Sequence, residues 1–483
     1  MNHKIVFYSV GSVLMVEAAL LLLPMIVSVI YDDGCLSAFL ISIGITAIAG
    51  FFMWFICRSC SKNPSVRDGL VIASLSWILL SAFGALPFCL GTCALSFTDA
   101  FFETMNGFTT TGATVLNDLE SMANSLLFWR SLTHWVGGMG ILVFVTAMTS
   151  ANTKSLNILK AEMPGPTVDK LVPKSRNSAA ILYILYTLLT IAQIIFLFAG
   201  GMSFFESVIH AFGTAGTGGF GVRADSYASY SPYLQWVTAI FMLLFGVNFN
   251  LYYLILVRRF RTAFSNTELR CYIGIVLVAT AAITANIYSS CSGLGEALRL
   301  SAFQVSSIIT TTGYSTCNFN MWPGFSKAVL FILMLLGGCA GSTAGGFKIV
   351  RVSTLAKAIV KEIKCVLNPR SVNVVRMNGK SVKPEMVNST LGYFALYTFT
   401  LFAVFLLLSI DGFDLETTLS SAVACVSNVG SGMNLAGPAA SFSIFSDFST
   451  WVMSFAMLAG RLEIYPLLVF FMPGSWKPSH RSH

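Results

Sequence analysis

Ionisable residues are scarce in this chain. Asp, Glu, Lys and Arg make up 10% of its 483 residues, where a soluble domain carries roughly 25%. With 55% hydrophobic residues, including 40 Phe and 15 Tyr, the apolar surface is too large for one soluble core, and lipid is the solvent it fits. Catalytic machinery is missing as well. No Ser/His/Asp set, metal cluster or paired-carboxylate site stands out, so an enzyme reading has no residues to rest on. The 11 Cys lie singly along apolar segments, where Cys behaves as a small hydrophobe. One CxxC, Cys57 and Cys60, lacks a second ligand pair and reads as packing. The first apolar run lacks a small-residue cleavage site and is too long for a signal peptide, so it reads as a retained helix.

What is present is a series of long apolar runs, at 5–30, 36–57, 69–91, 125–149, 178–200, 232–257, 270–290, 325–350, 388–410 and 448–472. A spanning helix needs about 20 such residues, so the expectation is an all-α integral membrane protein with about ten spans. The net charge of +8 is not a nucleic-acid footprint, because its basic residues are sorted by gap. Arg58, Lys62 and Arg67, the basic residues of 154–176, 258–270 and 351–383, and Lys477 with Arg481 fall on one side. Asp32, Asp99, Asp118, Glu120, Asp225, Asp414 and Asp447 fall on the other, with only Arg130, Arg223, Arg299 and Lys327 among them. That asymmetry makes the basic gaps and both termini cytoplasmic.

Four shorter apolar segments lie on the acidic side, Thr98–Thr109, Met202–Thr214, Glu296–Thr310 and Asp414–Val426. Each is too short to span and runs into a Gly/Thr/Ser-rich stretch. Aligned on Gly112, Gly218, Gly313 and Gly430, these stretches stand 95 to 117 residues apart. The unit is helix, re-entrant half-helix, extended loop and helix, present four times. Non-helical backbone at membrane depth leaves carbonyls without partners and survives only where it lines a cavity or coordinates something. Four such loops about one axis would aim a ring of carbonyls at a dehydrated cation, as potassium filters do. The expected ligands of K⁺ are Thr110, Thr111 and Gly112; Gly216, Thr217 and Gly218; Thr311, Thr312 and Gly313; and Asn428, Val429 and Gly430. Gly216-x-Gly218-x-x-Gly221 matches a dinucleotide fingerprint in form only, since no strand precedes it. No helix carries the regularly spaced arginines of a voltage sensor.

The strings FFETMNGFTTTGAT at 101–114, HWVGGMGI at 134–141, TTTGYS at 310–315, GGCAGSTAGGFK at 337–348 and GRLEIY at 460–465 resemble the Trk/Ktr/HKT potassium-transport superfamily, most nearly its bacterial TrkH branch. The resemblance implies two extra N-terminal helices (1–66) and pore repeats at 67–160, 161–262, 263–368 and 369–483 around one pseudo-fourfold pore. It implies a homodimer in the cytoplasmic membrane, no cofactor on this chain, and a cytoplasmic TrkA-like ring that binds nucleotide and controls opening. Gly112, where sodium-transporting members carry Ser, implies potassium selectivity. The small-residue run Gly337, Gly338, Gly341, Ser342, Thr343, Gly345 and Gly346, ending at Lys348, is either a helix-packing surface or, as the resemblance implies, a flexible gate under the filter. Arg461 sits midway along the last apolar run and is expected to face the pore, since Glu463 would point from another helix face. Its plain alternative is pairing with a carboxylate or carbonyl. His134 and Glu17 read as packed polar groups and Arg130 as an interface anchor. A symporter coupling K⁺ to H⁺ or Na⁺, or the potassium-translocating subunit of an ATP-driven pump, remain the rival readings.

Overall fold

The computed structural model describes residues 1–58, 65–140, 175–370, 373–438 and 440–476, with side chains for all but 175–179. Cys60, Lys62, the basic residues 154–176, Lys477 and Arg481 therefore lie outside the described side chains. Among the described residues, the regular structure is helical apart from a two-residue hairpin, Arg376–Met377 against Lys380–Ser381. Its turn, Asn378-Gly379, has both residues at positive φ, as tight hairpins require.

Among the described residues, six helices are long and apolar enough to cross a membrane: His3–Tyr31, Leu36–Cys57, Val66–Leu90, Ala180–Ala199, Thr267–Ser290 and Pro384–Asp411. Six of the ten expected runs are thus near-continuous spans, two of them jointed, at Leu21 between His3–Leu20 and Leu22–Tyr31 and at Ala85 between Val66–Gly84 and Leu86–Leu90. The other four are not continuous, and each is the helix that follows a half-helix. Asn124–Met139 stops at Gly140 (φ +78°), and 141–149 lies outside the described residues. Pro232–Phe245 and Phe249–Leu256 meet at 90°, because Asn248 caps a new helix with its side chain. Gly324–Leu336 ends at Gly337, φ +72°. Asp447–Arg461 is parted from Tyr465–Phe471 by Glu463 and Ile464, both at positive φ. Counting apolar residues does not reveal these breaks, except at Gly337, where the small-residue run is readable as a packing surface or a flexible loop.

The half-helices are Phe97–Thr109, Phe204–Ala215, Leu294–Ile309 and Leu415–Val426. Three start where a side chain caps them: Ser96 accepts from Asp99 N, Ser203 from Glu206 N and Asp414 from Thr417 N. The molecule is apolar outside and polar within. Ile48, Val278 and Phe399 are more than 70% exposed, whereas Thr109, Thr111, His134, Gln193 and Asn428 are fully buried. An apolar exterior of this size belongs in lipid.

His3–Leu20 packs mainly on Leu36–Cys57, and their backbones touch at Gly11 and Gly50. A Cβ on Gly50 would lie 3.0 Å from both Gly11 O and Met15 N, the close approach that small residues permit between membrane helices. Gly50→Val should therefore part the two helices and lower stability by about 1–3 kcal/mol. An unchanged thermal midpoint for the purified variant would contradict this contact.

Candidate functional site

All four half-helices end in the same turn. One residue takes left-handed backbone: Thr110 (φ +55°), Thr217 (+54°), Thr311 (+56°) and Asn428 (+55°). The next N–H reaches five residues back, from Thr111 to Asn106 O (3.1 Å), Gly218 to Gly213 O (2.9 Å), Thr312 to Ser307 O (2.8 Å) and Val429 to Ala424 O (2.9 Å). The third residue is a glycine with φ between +80° and +92°: Gly112, Gly219, Gly313 and Gly430. Helices often end this way, but glycine normally holds the left-handed position. A β-branched residue there is strained by about 1–3 kcal/mol. Three of the four turns put threonine at that point.

These geometries correct the alignment of the second turn by one residue. Gly219, not Gly218, matches Gly112, Gly313 and Gly430. Gly216 falls level with Thr109, Thr310 and Ser427, at the C-cap of its half-helix. The missed signal was the aromatic residue after the glycine, since Gly219-Phe220 parallels Gly313-Tyr314. A cavity open above the turns is lined by Gly112, Gly219, Gly313 and Gly430 together, and Gly218 is not among its walls.

The four turns form a closed ring. A Cβ on Gly112 would come within 3.0 Å of Gly218 O, one on Gly219 of Thr312 O, one on Gly313 of Val429 O and one on Gly430 of Thr111 O. Each glycine thus abuts the carbonyl before the next turn's glycine, and the fourth returns to the first. Positive φ and missing space both require glycine at these four points. Among the described residues, no hydrogen bond from the chain reaches the carbonyls of 110–112, 217–219, 311–313 or 428–430. Apart from that of Gly430, the N–H groups are bonded inward to their own helices, and the carbonyls are left for something else. Polar side chains brace the ring from below: Thr109 to Thr111 and Thr310 to Thr312 at 2.8 Å, and Asn428 Nδ2 to Thr111 Oγ1 at 2.9 Å.

The Gly337–Lys348 segment is an irregular loop directly beneath. Gly345 N donates to Thr311 Oγ1 at 2.7 Å, joining the loop to the third turn. Cys339 N donates to Gly246 O at 3.0 Å, and Phe249 N to Gly341 O at 3.0 Å, so the loop is pinned across the break of the second repeat's helix. Ala340 N donates to Glu268 Oε1 at 2.6 Å. Glu268 and Asn248 were not legible as partners of this loop. Ser342 Oγ closes on Cys339 O at 2.6 Å, Lys348 Nζ bonds Ala344 O, and Gly337 and Gly338 pack against Gly346 and Ala344. Arg461 ends its helix rather than lying midway along a span. Its guanidinium donates to Thr343 O at 3.0 Å, Gly138 O at 2.8 Å and Gly137 O at 2.5 Å. It therefore ties the loop to the negative end of the first broken helix, the carbonyl pairing that was its plain alternative. Glu463 bonds Arg351 instead. Arg130 is no interface anchor. It is buried against Glu103 at 2.9 Å. His134 is packed, stacked on Phe220 with centroids 3.9 Å apart.

The family model described as TrkH, cation transport protein, matches residues 36–477. The chain belongs to the TrkH family. It is 33% identical to the Trk system potassium uptake protein TrkH of Salmonella typhimurium, over 99% of this chain and 100% of that protein. It is 32% identical to TrkG of Escherichia coli, over 98% and 99% respectively. The crystal structure of the potassium transporter TrkH from Vibrio parahaemolyticus is similar with a TM-score of 0.89 at 30% identity, covering 99% of this chain and 100% of that one. The TrkH match takes in the ring, the loop and Arg461 alike, and begins after the first helix.

The corrected register is testable. Gly219→Ala drives a methyl into the Thr312 carbonyl at strained φ, and should cost about 1–3 kcal/mol of stability and disturb cation discrimination together. A folded Gly219→Ala protein with the parent's ion preference would refute the register.

Proposed function

We propose that this chain takes up K⁺ across the cytoplasmic membrane through a single pore. Four repeats, 67–160, 161–262, 263–368 and 369–483, surround one pseudo-fourfold axis, and 1–66 supplies two additional helices. The ring carbonyls replace the ion's hydration shell, with residues 110–112, 217–219, 311–313 and 428–430 as the selectivity filter. The observation that carries this reading is the closed ring of carbonyls unclaimed by any described residue. Buried carbonyls cost free energy unless something satisfies them, and a dehydrated cation does so. The relatives' names supply the ion, since both are potassium uptake proteins. The ring and the loop contain no carboxylate, which favours passive flux over coupling to H⁺ or Na⁺.

The Gly337–Lys348 loop acts as the gate beneath the filter, with Arg461 as its latch and as a positive charge that slows passing K⁺. The functional unit is a homodimer with both termini in the cytoplasm, opened by a nucleotide-binding ring of the TrkA type. Nucleotide belongs to that partner and not to this chain.

The reading is tested with purified protein in liposomes, by measuring K⁺ and Na⁺ flux. Gly112→Ser adds a Cβ and a hydroxyl where no room exists, so K⁺ over Na⁺ discrimination should fall. A parental ratio in folded Gly112→Ser protein would refute the filter. Arg461→Ala removes three charge-assisted hydrogen bonds, worth roughly 1.5–3 kcal/mol each, so the protein should melt lower while each folded molecule conducts faster. Lower stability with no gain per molecule would leave Arg461 a helix tie and end its role as a latch.

A further inference from the structure

Seven residues before each left-handed position, the half-helices carry Glu103, His210, Gln304 and Ser421. All four are buried behind the ring. Only the first is charged, and only the first has an ionic partner there, Arg130, with Nε to Oε2 at 2.9 Å and both side chains at most 2% exposed. The other three turns reach the same dihedrals without an ion pair, so the pair is not what makes the turn. A buried pair is also a poor source of stability compared with packed apolar residues.

Its contacts cross from turn to turn. The remaining Glu103 oxygen accepts from Thr114 Oγ1 at 2.6 Å and Val115 N at 2.7 Å, on the strand leaving Gly112. The Arg130 guanidinium lies 3.4 Å from the ring centroid of Phe220, the residue after Gly219. Tyr314, the residue after Gly313, in turn donates its Oη–H to the Phe220 carbonyl at 2.8 Å. Three of the four glycines are thereby linked through residues one to three positions beyond them. Arg130 also reaches the wall of the open cavity above the ring, where its charge would repel entering cations without Glu103 beside it.

We infer that the Glu103–Arg130 pair is a positioning element for selectivity: it fixes the first and second turns relative to each other and neutralises the buried one of the two arginines, Arg130 and the more exposed Arg223, that line the outer cavity. The inference rests on the filter reading given above. Groups that orient ion ligands from behind typically matter by about tenfold or more. Glu103→Gln keeps shape and hydrogen-bond acceptance but strands the arginine charge, and Arg130→Lys keeps the charge but loses the flat contact with Phe220. Each should lower the K⁺ over Na⁺ permeability ratio by roughly tenfold in liposomes, per folded molecule. Glu103→Gln should also raise the K⁺ concentration for half-maximal flux, and Glu103→Gln/Arg130→Gln should bring that concentration back toward the parent's. A purely structural pair would lower the thermal midpoint and leave the ratio alone, which overturns the inference. If neither single variant folds, Phe220→Leu cuts the link to the second turn with the ion pair intact, and a parental ratio there overturns it equally. Gly112→Ser measured alongside separates the two failures. A parental ratio for Gly112→Ser defeats the filter itself, whereas a changed ratio for Gly112→Ser with parental values for the pair defeats only this inference.

Discussion

Backbone carbonyls with no partner inside the protein are the constraint on which the rest of this structure depends. In a hydrocarbon layer a helix or a closed barrel satisfies every peptide group, and any departure leaves groups that cost several kcal/mol each. Here four half-helices stop short and release three residues apiece into a turn whose carbonyls nothing in the described chain claims. Threonine in left-handed backbone at three of these turns adds strain. Such a ring persists only if its surroundings over-determine it. The abutting glycines, the paired threonine hydroxyls and the bonds back to the half-helices provide that restraint.

The broken helices follow from the same geometry. A straight helix beyond each turn would leave no room beneath the ring for anything to rest there. Instead, all four stop or bend, at Gly140, at Gly246–Asn248, at Gly337 and at Leu462–Ile464. The loop from Gly337 occupies the space so created, bonded upward to Thr311 and sideways to Gly246 and Arg461. On the proposed path, a cation leaving the ring would meet this loop next. The guanidinium of Arg461 sits where carbonyls from two elements converge, so one side chain serves as tie and as fixed charge.

Much of this was legible in the sequence, for identifiable reasons. Four short apolar segments ending in Gly and Thr cannot be spans, and their recurrence pointed to the turns. Capping residues such as Ser96 and Ser203 mark where two of them begin. The second turn was misaligned because Gly218 and Gly219 are adjacent and composition cannot choose between them, while dihedrals can. The break after Gly246 was hidden because that glycine leaves the run apolar, whereas Arg461 and Glu463 at the last break, and Pro466 near the start of the next helix, were readable signs of one. Arg130 was misplaced for another reason. Its partner Glu103 lies 27 positions away, a separation at which no helical spacing rule relates two charges.

The central claim is that a dehydrated cation sits on the axis of the four-glycine ring. Rubidium has nearly the size of potassium and scatters X-rays anomalously, so crystals of the protein grown in rubidium test the claim directly. The account predicts anomalous peaks on the ring axis, level with the carbonyls of 110–112, 217–219, 311–313 and 428–430. Rubidium bound elsewhere with the ring empty, in protein that still transports rubidium, would contradict it.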